Sequence, residues 1–150
     1  MLKAGDPAPD FTLPADGGGL LRFHEFVATG PVVLYFYPAD FTPVCTKQAC
    51  MMRDWREPLI EAGYRVIGVS PQSEESHQRF DRKHTLGFTL LADADRSVCR
   101  AYGVLGPLGL IVRRATFLVD AGAVVRDRVV ADFRVGRHRG FVEKLLGSRD

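Results

Sequence analysis

The sequence is short of cysteine, histidine and lysine, and each shortage removes a class of protein. Three cysteines in 150 residues, Cys45, Cys50 and Cys99, are an odd and sparse set, unlike the dense, even count of a small secreted disulfide scaffold. The four histidines, His24, His77, His84 and His138, have no metal-ligand spacing, so zinc has no partner motif; they read as surface or locally bonded side chains. No uninterrupted apolar run approaches the roughly 18 to 20 residues of a membrane span. Met1 to Pro7 lacks the apolar core of a signal peptide, and a cytoplasmic protein with no membrane partner is the simplest expectation. Gly17-Gly18-Gly19 has neither the strand before it nor the helix after it that a nucleotide loop needs. Arg outnumbers Lys by 16 to 4, yet acids interrupt the basic residues and the formal charge is only +2, so no nucleic acid partner is implied.

What is present suffices for one compact domain over residues 1–150, because a chain of this length buries roughly 70% of its unfolded surface. Val32 to Tyr37 is a continuous β-branched and aromatic run between Pro31 and Pro38, the pattern of a central strand buried on both faces. Before it, Phe11-Thr12-Leu13 and Leu20 to Phe23 flank the glycine turn as a short hairpin. After it come a helix, a second buried strand from Tyr64 to Ser70, and a polar helix capped by Ser73 and running to about His84. A short strand from Phe88 to Ala92 follows, then a helix capped by Asp93 or Asp95 and ending near Gly103. Ala115 to Val119 and Val124 to Val130 form a hairpin, and a last helix spans about His138 to Leu146. Strands alternating with helices, then a hairpin and a terminal helix, predict an α/β fold with a mixed central sheet flanked by helices.

The chemistry concentrates just after the central strand, in Pro38-Ala39-Asp40-Phe41-Thr42-Pro43-Val44-Cys45-Thr46-Lys47-Gln48-Ala49-Cys50. Thr42 is a good N-cap and Pro43 is favoured at the first helical position, which places Cys45 at N3. There its sulfur lies near unpaired backbone N–H groups and the positive end of the helix dipole, and both favour thiolate over thiol. Most free cysteines are small buried hydrophobes, but strand end, N-cap, proline and first-turn cysteine together make a reactive site. On a helical wheel Cys45 shares a buried stripe with Ala49, Met52, Leu59 and Ile60, while Cys50 points about 140° away. Helical residues five apart have Cα atoms about 8 to 9 Å apart, beyond the roughly 7 Å limit for a disulfide. Any Cys45–Cys50 disulfide therefore requires the first turns of the helix to unwind. The spacing is not the C-x-x-C of a thioredoxin-type redox pair. Cys99 reads as a core thiol, Asp40 as a solvated loop acid, and Pro58 as a residue that kinks or ends its helix within a turn.

The segment resembles the peroxiredoxin motif P-x-x-x-T/S-x-x-C, through Pro38, Thr42 and Cys45, and the second cysteine five residues on is similar to the peroxiredoxin Q, or bacterioferritin comigratory protein, subfamily. Further resemblance runs through Gly5 to Phe11, Tyr35 to Pro38, Arg53-Asp54, Phe88 to Asp93, Tyr102 to Val104 and Arg114 to Asp120. The resemblance implies a thioredoxin-like fold and a thiol peroxidase that needs no cofactor, haem or metal. It makes Cys45 the peroxidatic cysteine and Cys50 the resolving one. It gives Thr42 the hydroxyl that bonds peroxide and thiolate, Pro38 the pocket cover, and Arg114 the active-site arginine. It implies hydrogen peroxide and small organic hydroperoxides as substrates, thioredoxin or a similar dithiol as reductant, and a monomer or weak homodimer. A disulfide oxidoreductase or a peroxide-sensing switch on the same fold is the alternative. Three departures bear on substrate and reductant docking: Val44 stands where glycine is common, Gln48 where glutamate is frequent, and the Gly106 to Val112 connection is shorter.

Overall fold

The computed structural model describes residues 1–147. Strands β1 (Thr12–Pro14) and β2 (Leu20–Arg22) form an antiparallel hairpin that leads into the short helix α1 (Phe23–Val27). The main sheet contains β3 (Val32–Phe36), β4 (Arg65–Ser70), β5 (Thr89–Ala92), β6 (Ala115–Val119) and β7 (Val125–Val130), in the order β5-β4-β3-β6-β7. β3 runs parallel to β4 and antiparallel to β6, so the expected mixed sheet forms around the expected central strand. Helices α2 (Pro43–Glu61), α3 (Glu74–His84), α4 (Ser97–Ala101) and α5 (Val135–Gly147) complete the element order.

The alternation of side chains along β3 divides the core in two. Val32, Leu34 and Phe36 face a cluster with Phe23, Tyr102 and Phe117, while Val33, Tyr35 and Tyr37 face one with Met52, Leu59, Phe80 and Phe141. Every residue of β3 is fully buried, which is why the run carries no polar alternation. Gly68 of β4 stands opposite Tyr35 in the register; a Cβ there would lie 2.9 Å from the Tyr35 ring, so glycine is what lets the aromatic ring pack across β4.

Three local expectations need correction. α5 begins at Val135, one turn before His138, because the buried Val135 anchors it against the α2 cluster and outweighs the poor helix propensity of Gly136. Ile60 was expected on the buried stripe of α2 but is 55% exposed, since the helix is packed only as far as Leu59 and ends at Glu61, within one turn of Pro58. His77 and His138 are fully buried rather than at the surface. Each has its ring nitrogens bonded: His77 to Asp40 and the Leu91 carbonyl, His138 to Thr116 Oγ1 and the Ala131 carbonyl.

Candidate active site

The site forms where the C-terminal end of β3 meets the N-terminus of α2. Thr42 occupies the N-cap with extended backbone, Pro43 follows at N1, and Cys45 falls at N3 as the spacing predicts. The cap itself differs from expectation: the Thr42 hydroxyl turns back and donates to the Ala39 carbonyl at 3.0 Å. It therefore claims none of the first-turn N–H groups, and the first helical bond runs from the Thr46 N–H to the Thr42 carbonyl at 2.8 Å. The donors that a capping side chain ordinarily takes, at N2 and N3, belong here to Val44 and Cys45.

β6 is antiparallel to β3, with Ala115 paired to Phe36, so the residue before Ala115 reaches the same end of the sheet. That residue is Arg114, only 4% exposed. Its Nη2 donates to Cys45 Sγ at 3.1 Å, its Nη1 to Gln48 Oε1 at 2.7 Å, and its Nε to the Asp132 carbonyl at 2.9 Å. Two partners on α2 and one in the segment after β7 lock the guanidinium plane against a sulfur that is 1% exposed, an orientation that the point charge of a lysine does not reproduce. Asp132 also accepts from the Arg114 backbone N–H at 3.0 Å and pairs with Arg113 at 2.9 Å. Burial works to raise the Asp132 carboxyl, but these donors outweigh it and hold it below its ordinary range. Arg113 lies at the surface while Arg114 points inward, as opposite-facing neighbours of an entering strand should.

Asp40 overturns its reading as a solvated acid. It is 5% exposed and accepts from Tyr37 Oη at 2.6 Å, Ser76 Oγ at 2.7 Å and His77 Nδ1 at 2.7 Å. Burial pushes its carboxyl up, but the His77 bond and charge and the two hydroxyl donors prevail, so it stays ionised below the usual carboxylate range. This network ties the loop that carries Thr42 to the start of α3, across Phe41, whose φ of 66° is left-handed. Sequence reading missed it because Ser76 and His77 are more than thirty residues away and no local motif links them to Asp40. It also missed the Asp132 carbonyl, for which the sequence carries no signal.

Pro38 and Arg114 line a cleft of about 280 Å³, bordered by Ile111, Val112, Asp132 and Phe133. The short connection after Gly106 makes a 3-10 turn at Pro107–Gly109, and Leu108, Leu110 and Ile111 on it are largely exposed. Cys50, by contrast, is partly buried on another face of α2, with Sγ 3.9 Å from His84 Nδ1. All three cysteines are free thiols. With α2 continuous from Pro43 to Glu61, the Cys45 and Cys50 Cα atoms sit about 8 to 9 Å apart by helix geometry, too far to bridge. Among the described residues no group of three or more His, Cys, Asp or Glu is placed to hold a metal ion, and no helix is long and apolar enough to cross a membrane.

A mixed sheet whose central strand delivers a first-turn cysteine to a buried arginine defines a cysteine-based redox protein of thioredoxin-like fold. The chain belongs to the AhpC/TSA family, whose model matches residues 4–128. It is 43% identical over 130 residues to the putative peroxiredoxin bcp of Coxiella burnetii, covering 83% of this chain and 85% of that protein. It is 40% identical over 151 residues to peroxiredoxin Bcp of Escherichia coli K12, covering 97% and 96%. Its fold is similar to the crystal structure of peroxidoxin BcpB from Mycobacterium tuberculosis, with a TM-score of 0.91 and 34% identity over 99% of this chain and 98% of that one.

Proposed function

We propose that this thiol peroxidase attacks hydroperoxides at Cys45, with Arg114 as its transition-state donor, Thr42 as the acceptor that positions the peroxide and Cys50 as its resolving thiol. The observation that carries the reading is the 3.1 Å bond from the Arg114 guanidinium to the Cys45 sulfur. The thiolate is the nucleophilic form of cysteine, and it attacks the near oxygen of the peroxide. The S–O bond forms as the O–O bond breaks, leaving a sulfenic acid and releasing water or an alcohol. Negative charge builds on the departing oxygen, beside the positive Arg114 and the first-turn N–H groups of Val44 and Cys45. Stabilisation confined to that moment raises the rate rather than merely tightening binding. The Thr42 hydroxyl, which donates to the Ala39 carbonyl at 3.0 Å, keeps its lone pairs free to accept a hydrogen bond from an incoming peroxide. Pro38 walls the cleft, and its small volume suits hydrogen peroxide and small organic hydroperoxides.

Resolution follows when the first turns of α2 open and Cys50 displaces hydroxide from the sulfenic acid, giving a Cys45–Cys50 disulfide. A dithiol protein such as thioredoxin then reduces it. The reading places a single-domain protein, monomeric or weakly dimeric, in the cytoplasm, where thiols are kept reduced. The test is mass spectrometry after one equivalent of hydrogen peroxide, joined to thioredoxin-coupled turnover. The expected product is a Cys45–Cys50 disulfide that thioredoxin reduces. Slow, substoichiometric oxidation of Cys45 is the result of a redox switch, and disulfide exchange without peroxide consumption that of an oxidoreductase.

A further inference from the structure

The two halves of α2 are held differently. From Pro43 to Ala49 the side-chain bonds to other elements run from Cys45 and Gln48 to the single residue Arg114. Beyond Cys50 the helix is stapled to the end of α3 and the turn after it: Arg53 Nη1 donates to the His84 carbonyl at 2.9 Å and Arg56 Nη1 to the Leu86 carbonyl at 2.8 Å. Cys50 and Arg53, three residues apart, share a helix face, so the bond that pins the His84 backbone also fixes the imidazole beside Cys50, with Nδ1 3.9 Å from Sγ. The fully buried Phe80 packs against the His84 ring at 5.2 Å, which sets its tilt.

We propose that His84 is the proton acceptor for Cys50 when the disulfide forms. The inference rests on the reading of Cys50 as the resolving thiol. It makes Cys50 the stationary partner: the half of α2 whose side-chain bonds to other segments run only through Arg114 unwinds and carries Cys45 to it. In the step, the Cys50 proton passes to His84 Nδ1 and the Cys50 sulfur attacks the Cys45 sulfenic sulfur. The S–S bond forms as the S–O bond breaks, the Cys50 sulfur is oxidised as the sulfenic sulfur is reduced, and the imidazolium proton leaves with the hydroxide as water. No outside electron is needed. Charged groups near His84 in the chain and the fold include Arg53 from α2, itself paired with Asp54 at 3.0 Å, and Asp81, Arg82 and Lys83 on the last turns of α3. The Asp81 carboxylate accepts the Leu86 N–H and Lys83 lies over the Phe41 ring, while the imidazole Nδ1 stands 3.9 Å from the sulfur.

Stopped-flow mixing with hydrogen peroxide separates oxidation of Cys45 from disulfide formation. In His84→Gln the first phase keeps its rate constant, while disulfide formation slows by about 100-fold, the usual reach of a positioned base. In His84→Ala, added imidazole restores the second phase. A wild-type rate of disulfide formation in His84→Gln, equal slowing of both phases, or failure of imidazole to restore the rate each overturn the proposal. Failure of the underlying reading is distinct: Cys50→Ser would then sustain full thioredoxin-supported turnover, whatever stands at position 84.

Discussion

Cys45 and Cys99 occupy the same place in two helices, yet their surroundings are opposite. Each is the third residue of its helix, and they are 1% and 0% exposed. At Cys45 the capping hydroxyl turns away and an arginine donates to the sulfur. At Cys99 the Asp93 carboxylate takes the first-turn donors, accepting from the Val98 N–H at 3.2 Å and the Cys99 N–H at 2.8 Å. Burial first, and then the Asp93 carboxylate, push the Cys99 thiol far above its ordinary range. A helix N-terminus therefore does not by itself make a reactive cysteine. On the proposed function, what decides is which group consumes the N–H donors and which charge faces the sulfur.

The largest test of this contrast is to exchange the sulfurs for hydroxyls. Cys45→Ser is expected to abolish peroxide reduction, because a serine hydroxyl is scarcely ionised at neutral pH, while Cys99→Ser keeps the rate within about twofold; stopped-flow kinetics reads both. Next in size, Arg114→Met should lower the rate constant for the first oxidation by about 100-fold or more, the usual loss when one charge-stabilising donor is removed. A change of less than about threefold would remove arginine pairing as the distinction between the two thiols.

A pH titration sharpens the other half. The Cys99 thiol is raised in the folded state, so it stays protonated where the unfolded chain ionises at about 8.5. Its contribution to stability is complete below that value and is lost as pH rises above it, with a slope of up to about 1.4 kcal/mol per pH unit. Cys99→Ala should flatten the alkaline slope of denaturant-derived stability, and identical slopes in the two proteins would contradict the assignment. The smallest effect is expected from Asp93→Asn. It weakens two charge-assisted bonds at the start of α4 and should cost about 1 kcal/mol, measured by chemical denaturation, without making Cys99 open to alkylation, because burial remains.

Legibility from sequence followed the range of the interactions. The β3 run, the Thr42-Pro43 helix start and the N3 position of Cys45 are local, and each stands where the residues predict. Asp93 or Asp95 was expected to cap α4; the N-cap position falls instead on Arg96, in a left-handed conformation, while Asp93 accepts first-turn N–H groups as above and Asp95 accepts from the Ser97 N–H at 3.0 Å. Arg114 was legible only through resemblance to a family, since nothing near it in the chain says that it will meet a sulfur 69 residues away. Asp40 was misread because a buried carboxylate is stable only with partners, and two of its three partners, Ser76 and His77, arrive from α3 through the fold. The Asp132 carbonyl that orients Arg114 is backbone, to which sequence patterns are blind.

The most direct measurement is to trap the sulfenic acid. Cys50→Ser protein, treated with one equivalent of hydrogen peroxide in the presence of a 1,3-dione, should carry the adduct on Cys45 alone when its peptides are weighed. An adduct on Cys99, or an unmodified Cys45, would contradict the account.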